Sequence, residues 1–168
     1  MPLEHQATWH SPLCLGRCGR SGGLLDLRSA TTPDGAVWRY QYDALGRRTA
    51  KQRLAEDGHT ILEQTIFTWD GPTLCEQTTE TDTLSNSVTL TWYYDGLRPL
   101  SQEERSTGAS QEVIDERFFA IVTDLVGSPS ELVDETGTLA WRKRSSLWGA
   151  TTWSIDSTAY IPLRFPGQ

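Results

Sequence analysis

Lysine, histidine, cysteine and methionine are all scarce in this 168-residue sequence, and each scarcity excludes something. Two lysines, Lys51 and Lys143, stand beside thirteen arginines, and the net charge is -7. With an acidic balance and no basic run, nucleic acid is not an expected partner. No stretch approaches the length of apolar sequence that a membrane-spanning helix needs, so no membrane partner is expected. The opening residues MPLEHQATWH lack a basic segment feeding an apolar one, so the chain as encoded reads as cytoplasmic, without a secretory signal. Three cysteines, Cys14, Cys18 and Cys75, are an odd count, which argues against a disulfide-stapled secreted domain. His5, His10, Cys14 and Cys18 are the obvious zinc ligands to test. Their H-x4-H-x3-C-x3-C spacing fits no finger or ribbon, so no metal and no cofactor is expected. What is plentiful is aromatic and β-branched: seven Trp, five Tyr, four Phe and twenty-one Thr, a composition that opposes disorder and favours strands.

Residues 1–30 show neither helical nor strand periodicity, and 13–23 (LCLGRCGRSGG) are rich in Gly and Arg, so this stretch is expected to be poorly structured. From residue 31 the pattern sharpens. Val37 to Tyr42 alternates, with Trp38, Tyr40 and Tyr42 on one face. A turn at 43–46 leads to a second strand, Glu56-Asp57-Gly58 turns again, and strands follow over 60–69 and 73–81. After a turn at 82–86, Val88, Leu90, Trp92 and Tyr94 share a face. Residues 101–117 are dense in charge and read as a long polar hairpin or loop, with a short helix as the competitor. Strands at 117–123, 131–133 and 138–144 complete the series, the last two flanking Asp134-Glu135-Thr136-Gly137. Trp148-Gly149 and Trp153 follow.

Internal repetition carries more information than any one strand. An aromatic residue directly followed by Asp occurs at Tyr42-Asp43, Trp69-Asp70 and Tyr94-Asp95, with Gly46, Gly71 and Gly96 close behind. Asp43, Asp70, Asp95 and Asp124 are spaced by 27, 25 and 29 residues. The chemistry of the unit is readable: the aromatic ends a strand and buries area, Asp accepts turn N–H groups, and Gly supplies positive φ. A basic residue after the turn, Arg47 or Arg98, is placed to pair with the Asp or to lie over a ring. One hairpin cannot bury its own face, whereas stacked copies can. The expected fold is therefore all-β, an open array of antiparallel hairpins over 31–168.

At this point YQYDALGRR (Tyr40 to Arg48) resembles the YD repeat of Rhs proteins. TDLVGSPSELVDETGTLAWRKRSSLWGA (Thr123 to Ala150), with PLRF and GQ after it, is similar to the Rhs repeat-associated core. Leu125 stands where that pattern has His, Ser145-Ser146 where it has Tyr-Asp, Ile161 where it has Asn and Pro166 where it has Gln. The resemblance implies a stretch of a β-strand shell that encloses a toxic C-terminal domain, delivered to neighbouring cells, often by type VI secretion. It assigns an architectural role to Tyr40, Tyr42, Asp43, Gly46, Arg47, Trp69, Asp70, Gly71, Tyr94, Asp95 and Gly96. In the later part it does the same for Asp124, Gly127, Pro129, Asp134, Gly137, Trp141, Trp148, Gly149, Leu163, Arg164, Phe165 and Gly167. The self-cleavage segment and toxin that follow in the family have no match here. The reading is thus of a fragment, inert alone, whose partners are the rest of a shell or further copies joined at open sheet edges.

Two other classes remain open. A carbohydrate- or cell-surface-binding β-module would stack sugars on exposed tryptophans, and Trp148 and Trp153, beside turns, are the candidates, while Trp38 and Trp92 fall in phase with apolar neighbours. An enzyme would need an acid pair such as Asp124 beside Ser128, or Asp95 with Glu103 and Glu104. Yet no His follows His59, and no nucleophile elbow, zinc helix or phosphate loop is present, so no catalysis is expected. Titration with soluble glycans separates the first two readings. A structural segment leaves tryptophan emission unchanged, and saturable quenching by any glycan restores the binding module.

Overall fold

The computed structural model describes residues 28–81, 86–145, 151–153 and 156–164. Eleven strands follow one another in a single meander. They are β1 (Ser29–Thr31), β2 (Val37–Tyr42), β3 (Arg48–Leu54), β4 (Ile61–Asp70), β5 (Thr73–Thr81) and β6 (Ser87–Asp95). The second half adds β7 (Arg98–Thr107), β8 (Val113–Thr123), β9 (Pro129–Asp134), β10 (Leu139–Ser145) and β11 (Thr151–Trp153). Each strand pairs antiparallel with its neighbours in sequence, and β1 and β11 are the outer members. There is no helix among the described residues. The charged stretch 101–117 is a hairpin, its second strand beginning at Val113 rather than at Arg117 as the sequence suggested. Cross-strand pairing accounts for the difference, because Arg105 bonds Glu116 and Arg117 bonds Glu104 across β7 and β8.

One irregularity recurs. The pairing slips by one residue at Thr49, Leu62 and Cys75, at Leu100 and Ile114, and at Ser130 and Ala140. Each is the second or third residue of the outgoing strand, just past its turn. A bulge leaves one residue unpaired, bends its strand and strengthens the local twist. Repeated just past the turn in seven hairpins, on both rims, it bends strand after strand.

Because cross-strand partners share a face, register alone sorts the side chains. Trp92 lies opposite Gln102 and Gln102 opposite Phe119, while Ile121, Leu132 and Trp141 form a second row. Leu74, Leu90, Trp92, Phe119, Ile121, Leu132, Ala140 and Trp141 are buried on this side, with Phe67, Trp69 and Tyr94 packed against them. The reverse face is a polar mosaic: Arg39 to Gln52, Thr78 to Thr89, and Arg142 to Glu131. It also carries exposed Phe118 and Val122.

A single sheet face cannot stay dry unaided, and the end of the described chain covers it. Residues 156–164 form a strap without regular structure across β7, β8 and β10. Ile161 and Leu163 are buried in the core. The Thr158 N–H donates to the Ala140 carbonyl at 2.9 Å, and Arg117 donates to the Thr158 carbonyl at 2.9 Å. The Gln102 side chain, wholly buried, accepts from Trp92 Nε1 at 2.8 Å and donates to the Tyr160 carbonyl at 2.9 Å. Both functions of that amide are thereby used, which a buried polar group requires. Replacing Ile161 by Ala is expected to cost about 2–5 kcal/mol. Gln102→Leu, which strands an indole N–H and a carbonyl, is expected to cost about 1–3 kcal/mol for each. Urea melts read both, with Val122→Ala on the exposed face as control. Equal losses in all three would dissociate the strap from the core.

Candidate functional site

The repeated turns are the feature around which the molecule's recognisable residues gather, and their geometry divides into two kinds. In the first, Asp43, Asp124 and Asp134 open four-residue turns closed by Gly46, Gly127 and Gly137. Those glycines have φ of 78°, 88° and 83°, where a side chain would be strained. Their carboxylates cap the turn. Asp43 Oδ1 accepts from the N–H of Leu45 and of Arg47, both at 2.9 Å, and Oδ2 takes Arg47 Nε at 2.6 Å. Asp124 accepts from the N–H groups of Val126 and Ser128 at 3.1 and 2.8 Å, and Lys143 lies 3.7 Å from its other oxygen. Asp134 accepts from the N–H groups of Thr136 and Thr138, both at 2.9 Å. The Asp124–Ser128 pair is thus a turn cap and not an acid beside a nucleophile.

In the second kind, Asp70-Gly71-Pro72 and Asp95-Gly96-Leu97, the loop has two residues and Gly stands first, with φ of 54° and 60°. That is the tight hairpin whose twist matches the strands. Asp70 and Asp95 are exposed and make no capping bond. Asp alone therefore does not define the turn; the spacing to Gly does.

The aromatic member reaches backwards. Trp69 Nε1 donates to the Arg48 carbonyl at 2.8 Å, and the Tyr94 hydroxyl donates to the Leu74 carbonyl at 2.8 Å. Arg48 directly precedes the bulge residue Thr49, and Leu74 directly precedes Cys75. Each aromatic thus binds a carbonyl at the bulge of the hairpin before it. Before Asp124 the residue is Thr123, too short for that reach, and Arg98 Nε instead donates to its hydroxyl at 3.0 Å. Arg47 also donates to the Gly71 carbonyl, joining one turn to the next.

Cations lie over the first rings: Arg48 over Tyr40 at 4.8 Å and Tyr42 at 5.9 Å, and Lys51 over Trp38 at 3.9 Å. Burial pushes the Lys51 ammonium below its usual range. At the far end Arg164 sits among three rings, 5.9 Å from Trp141 and 5.5 Å from both Trp153 and Tyr160. Trp153 is therefore half-buried, edge-on to Tyr160, and not the exposed sugar platform the sequence suggested. The strap, invisible to strand periodicity, is what covers it. Pro129, Trp141 and Leu163 are buried. Trp148, Gly149, Phe165 and Gly167 lie outside the described residues, as do His5, His10, Cys14, Cys18 and the whole of 1–27.

Glu103 and Glu104, which with Asp95 would form an acid group, point to opposite faces. Glu103 accepts from Tyr93 and Arg105, and Glu104 from Arg117. Among the described residues no three His, Cys, Asp or Glu side chains converge as metal ligands. An open groove of about 460 Å³ lies between Gln64, Glu80, Ser87 and Thr107, at the rim opposite the Asp70-Gly71 and Asp95-Gly96 turns.

Asp34 and Asp57 are further capping carboxylates, in the turns Thr-Pro-Asp-Gly and Glu-Asp-Gly. The Thr32 hydroxyl and the Ala36 N–H hold Asp34 below the usual carboxylate range. Asp57 receives the Thr60 hydroxyl and the N–H groups of His59 and Thr60, which bring its carboxyl down to about 2. Thr136 and Thr138 depress Asp134, and at Asp43 desolvation pulls upward but the Arg47 and Leu45 donors outweigh it. A carboxyl depressed on folding binds fewer protons in the native state, so its stabilisation is complete above the unfolded value near 4 and disappears as pH falls towards 2. The melting temperature is expected to hold between about pH 7 and 5 and to drop below about pH 4. Asp57→Asn should flatten part of that acid limb; an unchanged limb would remove the cap from the account.

Comparison with known proteins places these features. The family model described as RHS protein matches residues 119–155, and that described as RHS Repeat matches residues 24–60. The chain is 35% identical over 147 residues to Double-stranded DNA deaminase toxin A of Burkholderia cenocepacia, a match covering 77% of this chain and 10% of that protein. It is 29% identical over 146 residues to the Probable deoxyribonuclease RhsB of Dickeya dadantii, covering 84% and 9%. Toxin protein Tse5 of Pseudomonas aeruginosa is 31% identical over 149 residues, covering 77% and 11%. The chain therefore spans about a tenth of the length of these relatives. Among solved structures, TcdB2-TccC3 without its hypervariable C-terminal region superposes with a TM-score of 0.56 at 16% identity, over 83% of this chain and 7% of that one. The shared element is the β fold.

Proposed function

We propose that this Rhs-type chain is a length of wall, a non-catalytic run of β-hairpins belonging to a bacterial toxin-delivery protein. The observation that carries the reading is the repeated hairpin itself. A bulge past the turn in seven hairpins, with Trp69 and Tyr94 hydrogen-bonded back to the preceding bulge, builds a sheet of repeated local bends with one apolar face. Such a unit continues indefinitely and closes nothing by itself, and relatives about ten times longer accord with a longer wall. The residues around the turns, from Tyr42-Asp43-Gly46-Arg47 through Asp134-Gly137 to Trp141 and Leu163-Arg164, serve architecture in this reading.

The chemistry that the relatives' names carry, deamination and cleavage of DNA, belongs in this proposal to other parts of those proteins. Asp43, Asp124 and Asp134 are turn caps, and Glu103, Glu104 and Glu116 are ion-pair partners, while Asp70 and Asp95 stand exposed at separate turns. β1 and β11, three residues each, are the outer strands of the described sheet, and a longer wall, or another copy, adjoins them in this reading. Alone, the chain is inert; within a complete protein it shields and presents a toxin destined for neighbouring cells, by type VI secretion where the carrier uses that route.

A chimaera tests this. The segment of the Burkholderia relative that aligns with this chain is exchanged for it, or for a Gly-Ser linker of equal length, and both products are exposed to limiting protease. The chimaera is expected to keep the parent's resistance and the linker version to lose it. Deamination or cleavage of double-stranded DNA by the isolated chain, or equal sensitivity of the two products, would overturn the proposal.

A further inference from the structure

The two rims of the sheet differ in a way that the wall reading does not use. Turns at 43–47, 71–72, 96–97 and 124–128 lie along one rim, because each follows an even-numbered strand. Those at 32–36, 55–60, 108–112 and 135–137 lie along the other. Every large apolar side chain that is exposed within a described turn is on the first rim. Leu45 is at 76%, Leu97 at 59%, Val126 at 70% and Leu125 at 106% of full exposure. The opposite turns present Pro33, Glu56, Asp57, Ser110, Gln111 and Thr136. Apolar tips in a row have a cost in water that scattered ones do not, since contiguity is what marks an interaction surface.

Strand spacing fixes the geometry of this row. Neighbouring strands are about 4.8 Å apart, so successive turns on one rim stand about 10 Å apart and the four span about 30 Å. A two-fold axis midway between the 71–72 and 96–97 turns brings the first of these four described turns on one copy against the fourth of the other, and the second against the third. Leu45 then meets Leu125 and Val126, and Pro72 meets Leu97, so the surface is self-complementary, as an isologous dimer requires. The charges agree. Asp43 and Asp124 are already matched within the chain by Arg47 and Lys143. Asp70 and Arg98, one on each central turn, make no ion pair within the described chain. The same axis sets Asp70 of each copy beside Arg98 of the other. Covering the four tips on both copies buries roughly 1,000 Å², the lower end of specific association. A lipid surface fits less well, because a carboxylate stands at every one of these turns: Asp43, Asp70, Asp95 and Asp124.

We infer that the Leu45–Leu97–Leu125 rim is a homodimerisation surface, on which two copies of this chain meet rim to rim through apolar turn tips and a reciprocal Asp70–Arg98 pair. It differs from association through the open edges, which uses backbone of β1 and β11. Sedimentation velocity of the complete chain over a wide concentration range tests it. The wild type is expected to reach a dimer, and Leu97→Asp with Leu125→Asp to raise its dissociation constant by at least about tenfold. Asp70→Arg and Arg98→Asp should each weaken the dimer and together restore it, which a folding defect would not do. Thr152→Pro, which removes a backbone donor from the outer strand β11, should leave it intact. A monomer at every concentration overturns the inference. So does an assembly indifferent to the rim and lost with Thr152→Pro, or leucine-dependent binding to phosphatidylcholine vesicles in place of dimerisation.

Discussion

The bulge that recurs just past the turn in seven hairpins is the constraint on which the rest of this molecule depends. A regular ladder would carry each hairpin straight on, and the sheet would twist without a repeated bend. Inserting one residue at the same place in hairpin after hairpin bends the outgoing strand each time. It also disturbs the ladder beside the carbonyls of Arg48 and Leu74, which Trp69 and Tyr94 then bind. The aromatic–Asp pair is thus the visible part of a longer-range device: the aromatic serves the hairpin before it, while the Asp or the Gly serves the turn after it. Prolines fit the same scheme, since Pro99 and Pro129 occupy the position taken by Arg48 and Leu74, immediately before the slip, where a missing N–H is best tolerated.

Almost every contact in the sheet is between neighbours in sequence, so hairpins form from local pairings with small loop-closure cost. What such an array lacks is a second layer. The strap supplies it at one end, where the buried rows from Trp92 to Trp141 receive Ile161 and Leu163. Over β2 and β3 the corresponding face is covered differently: Trp38, Tyr40 and Tyr42 remain half-buried, with Lys51 and Arg48 laid across them. The long aliphatic stems of these cations screen apolar surface while the charges face the rings.

Much of this was legible in the sequence, for stated reasons. Strict alternation from Val37 to Tyr42 and from Ser87 to Tyr94 placed strands, and β5 begins and ends where its turn residues say it must. The Asp-to-Gly spacing located the turns. The bulges were not legible, because a slip of register is a relation between two strands and leaves no mark on either alone. The 101–117 stretch concealed its strands for a related reason: Glu103, Glu104, Arg105, Glu116 and Arg117 look solvent-bound until their partners across the ladder are known. Gln102 stands among them as one more polar residue, yet it is the wholly buried amide under the strap. Trp153 misled in the opposite sense, since proximity to a turn suggested exposure and the strap that covers it has no periodicity to read.

The strap also makes the two ends of the chain mechanically unequal. Tension applied at β1 meets a ladder of three residue pairs, then the next strand, and peels the meander open one hairpin at a time. Tension applied at residue 164 must first extract the strap. There the bonds from Gln102, Arg117 and Thr158 and the two buried side chains Ile161 and Leu163 resist together. Drawn from β1, the described sheet would yield gradually, whereas drawn from residue 164 it would hold and then release abruptly. The strand or strap that is pulled decides whether the described sheet frays or gives way as a unit.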